Sequence, residues 1–189
     1  MLTGPSGSGK TTLLNLVGCL DKPSMGVVLF EGKDTSKLNP NQLADIRKDK
    51  IGFIFQHFNL IPVLTALENV ELPLLLRKME KSERTRRVDP LLETVGLEGK
   101  AVHRPLELSG GEQQRVAIVR ALAHKPDIVL ADERTGDLDS KTGQEIIHLM
   151  RKMNQEEDTT FVVSSHDAMI TNHAKRIIKL RDGIVVEEK

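Results

Sequence analysis

The sequence predicts an α/β fold: a mainly parallel β-sheet flanked by helices. Three observations carry this. Short apolar runs of strand type alternate with helical stretches along the 189 residues. Polar, chemistry-bearing residues fall just after several of these runs, where open α/β sheets bind their ligands. Residues Gly4–Thr11 read Gly-Pro-Ser-Gly-Ser-Gly-Lys-Thr, a full match to G-x-x-x-x-G-K-[ST], and a helical stretch follows them.

Taken in order, Thr12 to Val17 read as the first turns of a helix that ends near Gly18. Asp21–Ser24 is a turn, and Val27–Phe30 a short strand closed by the turn Glu31-Gly32-Lys33. Leu43–Lys48 forms a short helix behind Pro40, and Ile51–Phe55 is a β-type run ending in Gln56. Leu64–Lys78 and Ser82–Val95 are helical, with Gly96 and Gly99 punctuating the exit. Another helix runs from Ser109 to about His124 and is broken by Lys125-Pro126-Asp127. Ile128–Ala131 is a buried strand ending in Asp132 and Glu133. Ser140–Asn154 is helical, and the strand Thr160–Ser164 leads to His166. In the tail, Asp182-Gly183 between two apolar-rich runs signals a hairpin.

Composition sets the class. Apolar residues make up 39%, enough for a real core in one domain. Lys+Arg and Asp+Glu are both 27, so bulk charge gives no support to a nucleic-acid partner. The Lys/Arg/Glu-rich stretch 78–87 reads as a solvated helix face. The single cysteine, Cys19, excludes an internal disulfide and reads as a buried structural thiol. No signal peptide or bilayer-length apolar run is visible, and a soluble cytosolic chain is expected.

The loop Gly4–Thr11 names a ligand. Its glycines let successive N–H groups converge on anionic oxygens, and the helix that follows presents its positive end to the same point. Lys10 would reach β- and γ-phosphate oxygens, and the Thr11 hydroxyl would ligate Mg²⁺. Asp132 at a strand end is placed to hold that Mg²⁺. Glu133, turned away by strand alternation, could orient and deprotonate an attacking water. Acidic pairs at strand ends also cap turns, and both readings stand for these two residues. Ser109-Gly110-Gly111-Glu112 is a capping box, and its two glycines leave the helix end open to an anion. His166 follows a strand, where a γ-phosphate contact is expected. His57, His103, His124, His148 and His173 have no comparable context, and no zinc spacing occurs.

With these residues in place, the chain resembles the nucleotide-binding subunit of an ATP-binding cassette (ABC) transporter. The pieces stand in the family's order over essentially the whole chain: Gly4–Thr11 as Walker A, Gln56 as the Q-loop, Leu108–Gln114 as the signature. Ile128–Asp132 follows as Walker B, then Glu133 as catalytic glutamate, Leu138-Asp139 as D-loop and His166 as switch histidine. The stretch Phe55–Pro62, with Leu64–Val70, resembles the lipoprotein-release and macrolide-export branch. The resemblance implies ATP bound by Gly4, Ser6, Gly7, Ser8, Gly9, Lys10, Thr11 and Thr12, and by Ser109, Gly110, Gly111 and Asp139. It implies Mg²⁺ held by Thr11, Gln56 and Asp132, and catalysis by Glu133, His166 and Gln56. It further implies a core from residues 1–56 and 125–189, with a helical subdomain at about 57–124.

As partners, the resemblance implies a second copy in a head-to-tail ATP sandwich and a separate transmembrane permease, with no nucleic acid. The chain would sit in the cytoplasm, peripheral on the inner face of the cell membrane. This sequence departs from the family at Arg134, where proline is usual, and at Asp137, where asparagine or alanine is common. Family members also carry about 40 more residues before the loop, including antiparallel strands and an adenine-stacking aromatic. An N-terminally truncated antiparallel part is therefore expected. DNA-repair relatives need a long coiled coil that residues 57–107 leave no room for, and translation relatives carry two cassettes. A regulatory, non-catalytic ATP-binding module is the other reading.

Overall fold

The computed structural model describes residues 1–132, 140–165 and 171–189. Its strands are β1 (Leu2–Thr3), β2 (Leu29–Phe30), β3 (Lys33–Asp34), β4 (Ile51–Ile54), β5 (Ile128–Asp132), β6 (Thr160–Ser164), β7 (Ile178–Arg181) and β8 (Ile184–Glu188). Its helices are α1 (Lys10–Val17), α2 (Pro40–Lys50), α3 (Ala66–Leu76), α4 (Lys81–Thr94), α5 (Gly110–Leu122) and α6 (Ser140–Glu156).

Six strands form one sheet in the order β4-β5-β6-β1-β7-β8. All neighbours are parallel except the last pair, β7 and β8. The centre of β5, Val129-Leu130-Ala131, is buried throughout, because helices cover both faces of a parallel sheet. The pairings Ile54 with Ala131, Asp132 with Ser164 and Leu2 with Ser164 bring the carboxyl ends of β4, β5, β6 and β1 side by side. The expected α/β architecture is therefore the observed one.

Both hairpins turn where the sequence places them. Asp182 and Gly183 have φ of 49° and 78°, and Glu31 and Gly32 have φ of 48° and 76°. Two successive positive φ values give the turn whose twist matches antiparallel strands. The strand expected at Val27–Phe30 shortens to Leu29–Phe30, which pairs only with Lys33–Asp34. Val27 and Leu29 remain exposed, so no core face held a longer strand in register.

Helix α5 joins two apolar clusters. Ile118, Ala121 and Leu122 pack with Ile54, Val129, Ala131 and Val163 of the sheet. Val116, Val119 and Ala123, on another face, pack with Ala66, Val70 and Leu74 of α3 and with Val88 and Leu92 of α4. Capping boxes fix the starts of α2, α3 and α5: Asn39 with Gln42, Thr65 with Glu68 and Ser109 with Glu112. Cys19 is buried, and burial pushes its thiol pKa up, as suits a structural thiol.

Candidate nucleotide site

The loop between β1 and α1 is anchored from two sides. A Cβ on Gly4, which has φ of 143°, would lie 2.1 Å from the Leu180 carbonyl oxygen of β7, so only glycine fits. At the other end, the hairpin turn donates the Gly183 N–H to the Ser8 carbonyl at 3.2 Å. The tail hairpin thus braces the loop, a contact the sequence did not announce. Gly9, with φ of 95°, turns the chain into α1, whose start has no side-chain cap and no acidic residue in its first turn. The first-turn N–H groups are left for an anion. The Lys10 ammonium donates to the Gly4 and Pro5 carbonyls at 2.8 and 2.9 Å, which keeps its charge over the loop. Ser6, Gly7 and Thr12 are exposed, while Ser8 is buried beneath them.

The Thr11 hydroxyl donates to the Asp132 carboxylate at 2.7 Å. These residues stand 121 positions apart in the chain and meet because α1 begins beside the end of β5. They line one cleft of about 190 Å³ with Gln56, His57, Asn59 and Phe55. A hydroxyl, a carboxylate and an amide oxygen are the hard donors that suit Mg²⁺. Among the described residues no group of three or more His, Cys, Asp or Glu forms a metal cage.

Ser109 and Glu112 satisfy each other: the Ser109 N–H donates to the Glu112 carboxylate at 2.7 Å, and the Glu112 N–H to the Ser109 hydroxyl at 3.3 Å. The Ser109 N–H bond is the main reason the Glu112 carboxyl lies below its usual pKa. Gly110 is exposed, and a Cβ there would meet nothing within 4 Å. Neither packing nor a positive φ within this chain demands that glycine. Among the described residues, Ser109–Gly111 form no hydrogen bond with Gly4–Thr12. The structure thus brings Thr11, Gln56 and Asp132 together and leaves the signature residues apart from them. Glu133, Asp139 and His166 lie outside the described residues.

Two polar anchors escaped the sequence reading. Asn69 is wholly buried; its carbonyl accepts from the Ile61 N–H at 2.8 Å and its amide donates to Ile61, Leu64 and Thr65 carbonyls. Arg77 donates to the Lys48 carbonyl at 3.2 Å and the His124 carbonyl at 2.6 Å, and also to the Asp49 carbonyl. It ties the ends of α2, α3 and α5. The capping signals at Asn39 and Thr65 could have been read from spacing alone; the long-range ties of Arg77 could not.

Comparison with known proteins identifies the family. The family described as ABC transporter matches residues 1–136. An uncharacterized ABC transporter ATP-binding protein of Methanocaldococcus jannaschii, MJ0796, is 53% identical, covering 100% of this chain and 82% of its own. One from Thermotoga maritima is 52% identical over 97% of this chain and 78% of its own. The macrolide export ATP-binding/permease protein MacB of Escherichia coli is 47% identical over 99% of this chain, which spans 29% of that protein. A dimeric structure of the ATP-binding cassette MJ0796, in a post-hydrolysis state bound to ADP and Pi, superposes with a TM-score of 0.92 at 52% identity. It covers 100% of this chain and 83% of that one. Among the described residues no helix is long and apolar enough to cross a membrane. The chain belongs to the ABC transporter family, as one of its ATP-binding, ATP-hydrolysing subunits.

Proposed function

We propose that two copies of this chain close head to tail around two ATP molecules and that hydrolysis reopens them, driving a separate membrane-spanning permease of export or lipoprotein-release type. The observation that carries the reading is the 2.7 Å contact of Thr11 with Asp132 beside Gln56, at aligned strand ends. In this account the Gly4–Thr12 loop cradles the phosphates and Lys10 leaves its own carbonyls for β- and γ-phosphate oxygens. Thr11, Asp132 and Gln56 would hold Mg²⁺, which would neutralise phosphate charge. Glu133 takes the proton of the attacking water, and His166 steadies the γ-phosphate.

Ser109, Gly110 and Gly111 of one copy complete the site of the other. The open space at Gly110 supports this, because a glycine that nothing in its own chain requires is one that a ligand can approach. The dimeric MJ0796 structure supports the pairing, and the permease part in the name of MacB supports a membrane partner. A helical subdomain at about 57–124 is supported by the apolar cluster whose buried residues run from Ala66 to Ala123. The chain would then work in the cytoplasm, at the inner face of the membrane. The test is Glu133→Gln with saturating Mg-ATP, read by size exclusion. A nucleotide-dependent dimer is expected; a folded protein that stays monomeric would contradict the sandwich.

A further inference from the structure

The segment that carries Gln56 is held in an unfavourable backbone. Gln56 is exposed at the end of β4, and the chain then reverses within three residues. The Phe58 N–H donates to the Phe55 carbonyl at 2.9 Å, and the Asn59 N–H to the His57 carbonyl at 2.6 Å. Phe58 and Asn59 have φ of 59° and 47°, two successive non-glycine residues in the left-handed region. Asparagine tolerates this, whereas a bulky phenylalanine does so only when its surroundings impose it.

What imposes it comes from α5. The Arg120 guanidinium donates one nitrogen to the Asn59 carbonyl and the other to the Phe58 carbonyl, both at 2.6 Å. A rigid planar fork matches two converging carbonyls and is fixed in advance in that geometry, whereas a flexible ammonium would have to be ordered to reach both. The fork is drawn out of water, which lowers the Arg120 pKa by desolvation. Asn59 lines the same cleft as Thr11, Gln56 and Asp132. Arg120 also lies on the helix that begins at Gly110, about 15 Å along its axis by the helical rise.

We infer that Arg120 is a positioning residue for Gln56: by clamping the Phe58 and Asn59 carbonyls it keeps the turn left-handed and Gln56 in the cleft. Arg120 does not itself line the cleft of Thr11, Gln56 and Asp132, and it acts through Gln56. The inference rests on the proposed role of that cleft in ATP hydrolysis.

The test is a double-mutant cycle in Mg-ATP hydrolysis with wild type, Arg120→Met, Gln56→Ala and the double variant, with Arg120→Lys as a milder probe. Arg120→Met is expected to lower kcat at least tenfold with KM for ATP changed less than threefold, since the Gly4–Thr11 loop is untouched. Arg120→Lys should retain an intermediate kcat. In the Gln56→Ala background, removing Arg120 should cost little further. Where Arg120→Met does not fold, judged by circular dichroism, the cycle is run with Arg120→Lys. Additive losses, an unchanged kcat, or an effect on KM alone would overturn the inference. A wild-type chain that hydrolyses no ATP would instead count against the functional reading.

Discussion

His124 makes the fold sensitive to mild acid. Its ring is buried where α5 ends, with Nε2 at 3.2 Å from the Ile51 carbonyl and Nδ1 without a partner among the described residues. Burial is the main reason its pKa falls from 6.5 to about 4; the Arg77 guanidinium, bonded to the His124 carbonyl, adds to it. The Ile51 carbonyl pulls the other way, Arg87 lowers the pKa slightly and Asp49 raises it slightly. In the unfolded chain this histidine binds a proton below its ordinary 6.5, while the folded one stays neutral down to about 4. The unfolded state therefore holds the extra proton across that window, and stability falls as the pH drops through it. The full difference is worth about 3 kcal/mol, and about 2 kcal/mol of it is felt between about pH 7.5 and about pH 5.

The perturbation is His124→Gln, which keeps a polar group near Ile51 and cannot titrate. Urea unfolding of both proteins at the two pH values reads the effect. Groups that do not interact with His124 contribute equally to both proteins, so their contributions cancel in the difference. The wild type should lose about 2 kcal/mol more than the variant, or about 4–8 °C in Tm for a chain of this size. Equal pH dependence within about 0.5 kcal/mol would refute the reasoning that His124 is held neutral.

Two other substitutions probe the scaffold of the site. Asn69→Ala strips the segment Ile61–Thr65 of its side-chain partner and leaves the half-buried Ile61 N–H unpaired, for a loss of about 1–3 kcal/mol by urea unfolding; a loss below about 0.5 kcal/mol would show that water or a rearranged loop replaces it. Gly4→Ala forces the loop away from the Leu180 carbonyl, 2.1 Å from the added Cβ, and should weaken ATP binding at least tenfold by calorimetry; unchanged affinity would mean that the loop does not depend on its seat against β7.

Much of this was legible in the chain because the relevant signals are local. Apolar runs marked β4, β5 and β6, and Gln56 and Asp132, at the ends of the first two, stand at the carboxyl ends where Thr11 joins them. Asp182-Gly183 gave its hairpin because that turn needs two positive φ values. The shortened β2 shows the limit: an apolar run pairs only as far as a partner strand reaches, and Lys33–Asp34 is two residues long. The environment of His124 was not legible, because Ile51 lies 73 residues away and Arg77 lies 47 away. Arg120 looked like an ordinary helix residue until the Phe58 and Asn59 carbonyls, about sixty positions earlier, were found against it. The brace from Gly183 to Ser8 is hidden for the same reason.

The central claim is that the Thr11–Asp132 pair, beside Gln56, is the centre of ATP hydrolysis. Phosphate release from Mg-ATP by wild type, Thr11→Val and Asp132→Asn measures it most directly. The account predicts steady hydrolysis by the wild type and a loss of about 100-fold or more in each variant, with the fold intact by circular dichroism. Folded variants that release phosphate as fast as the wild type would contradict it.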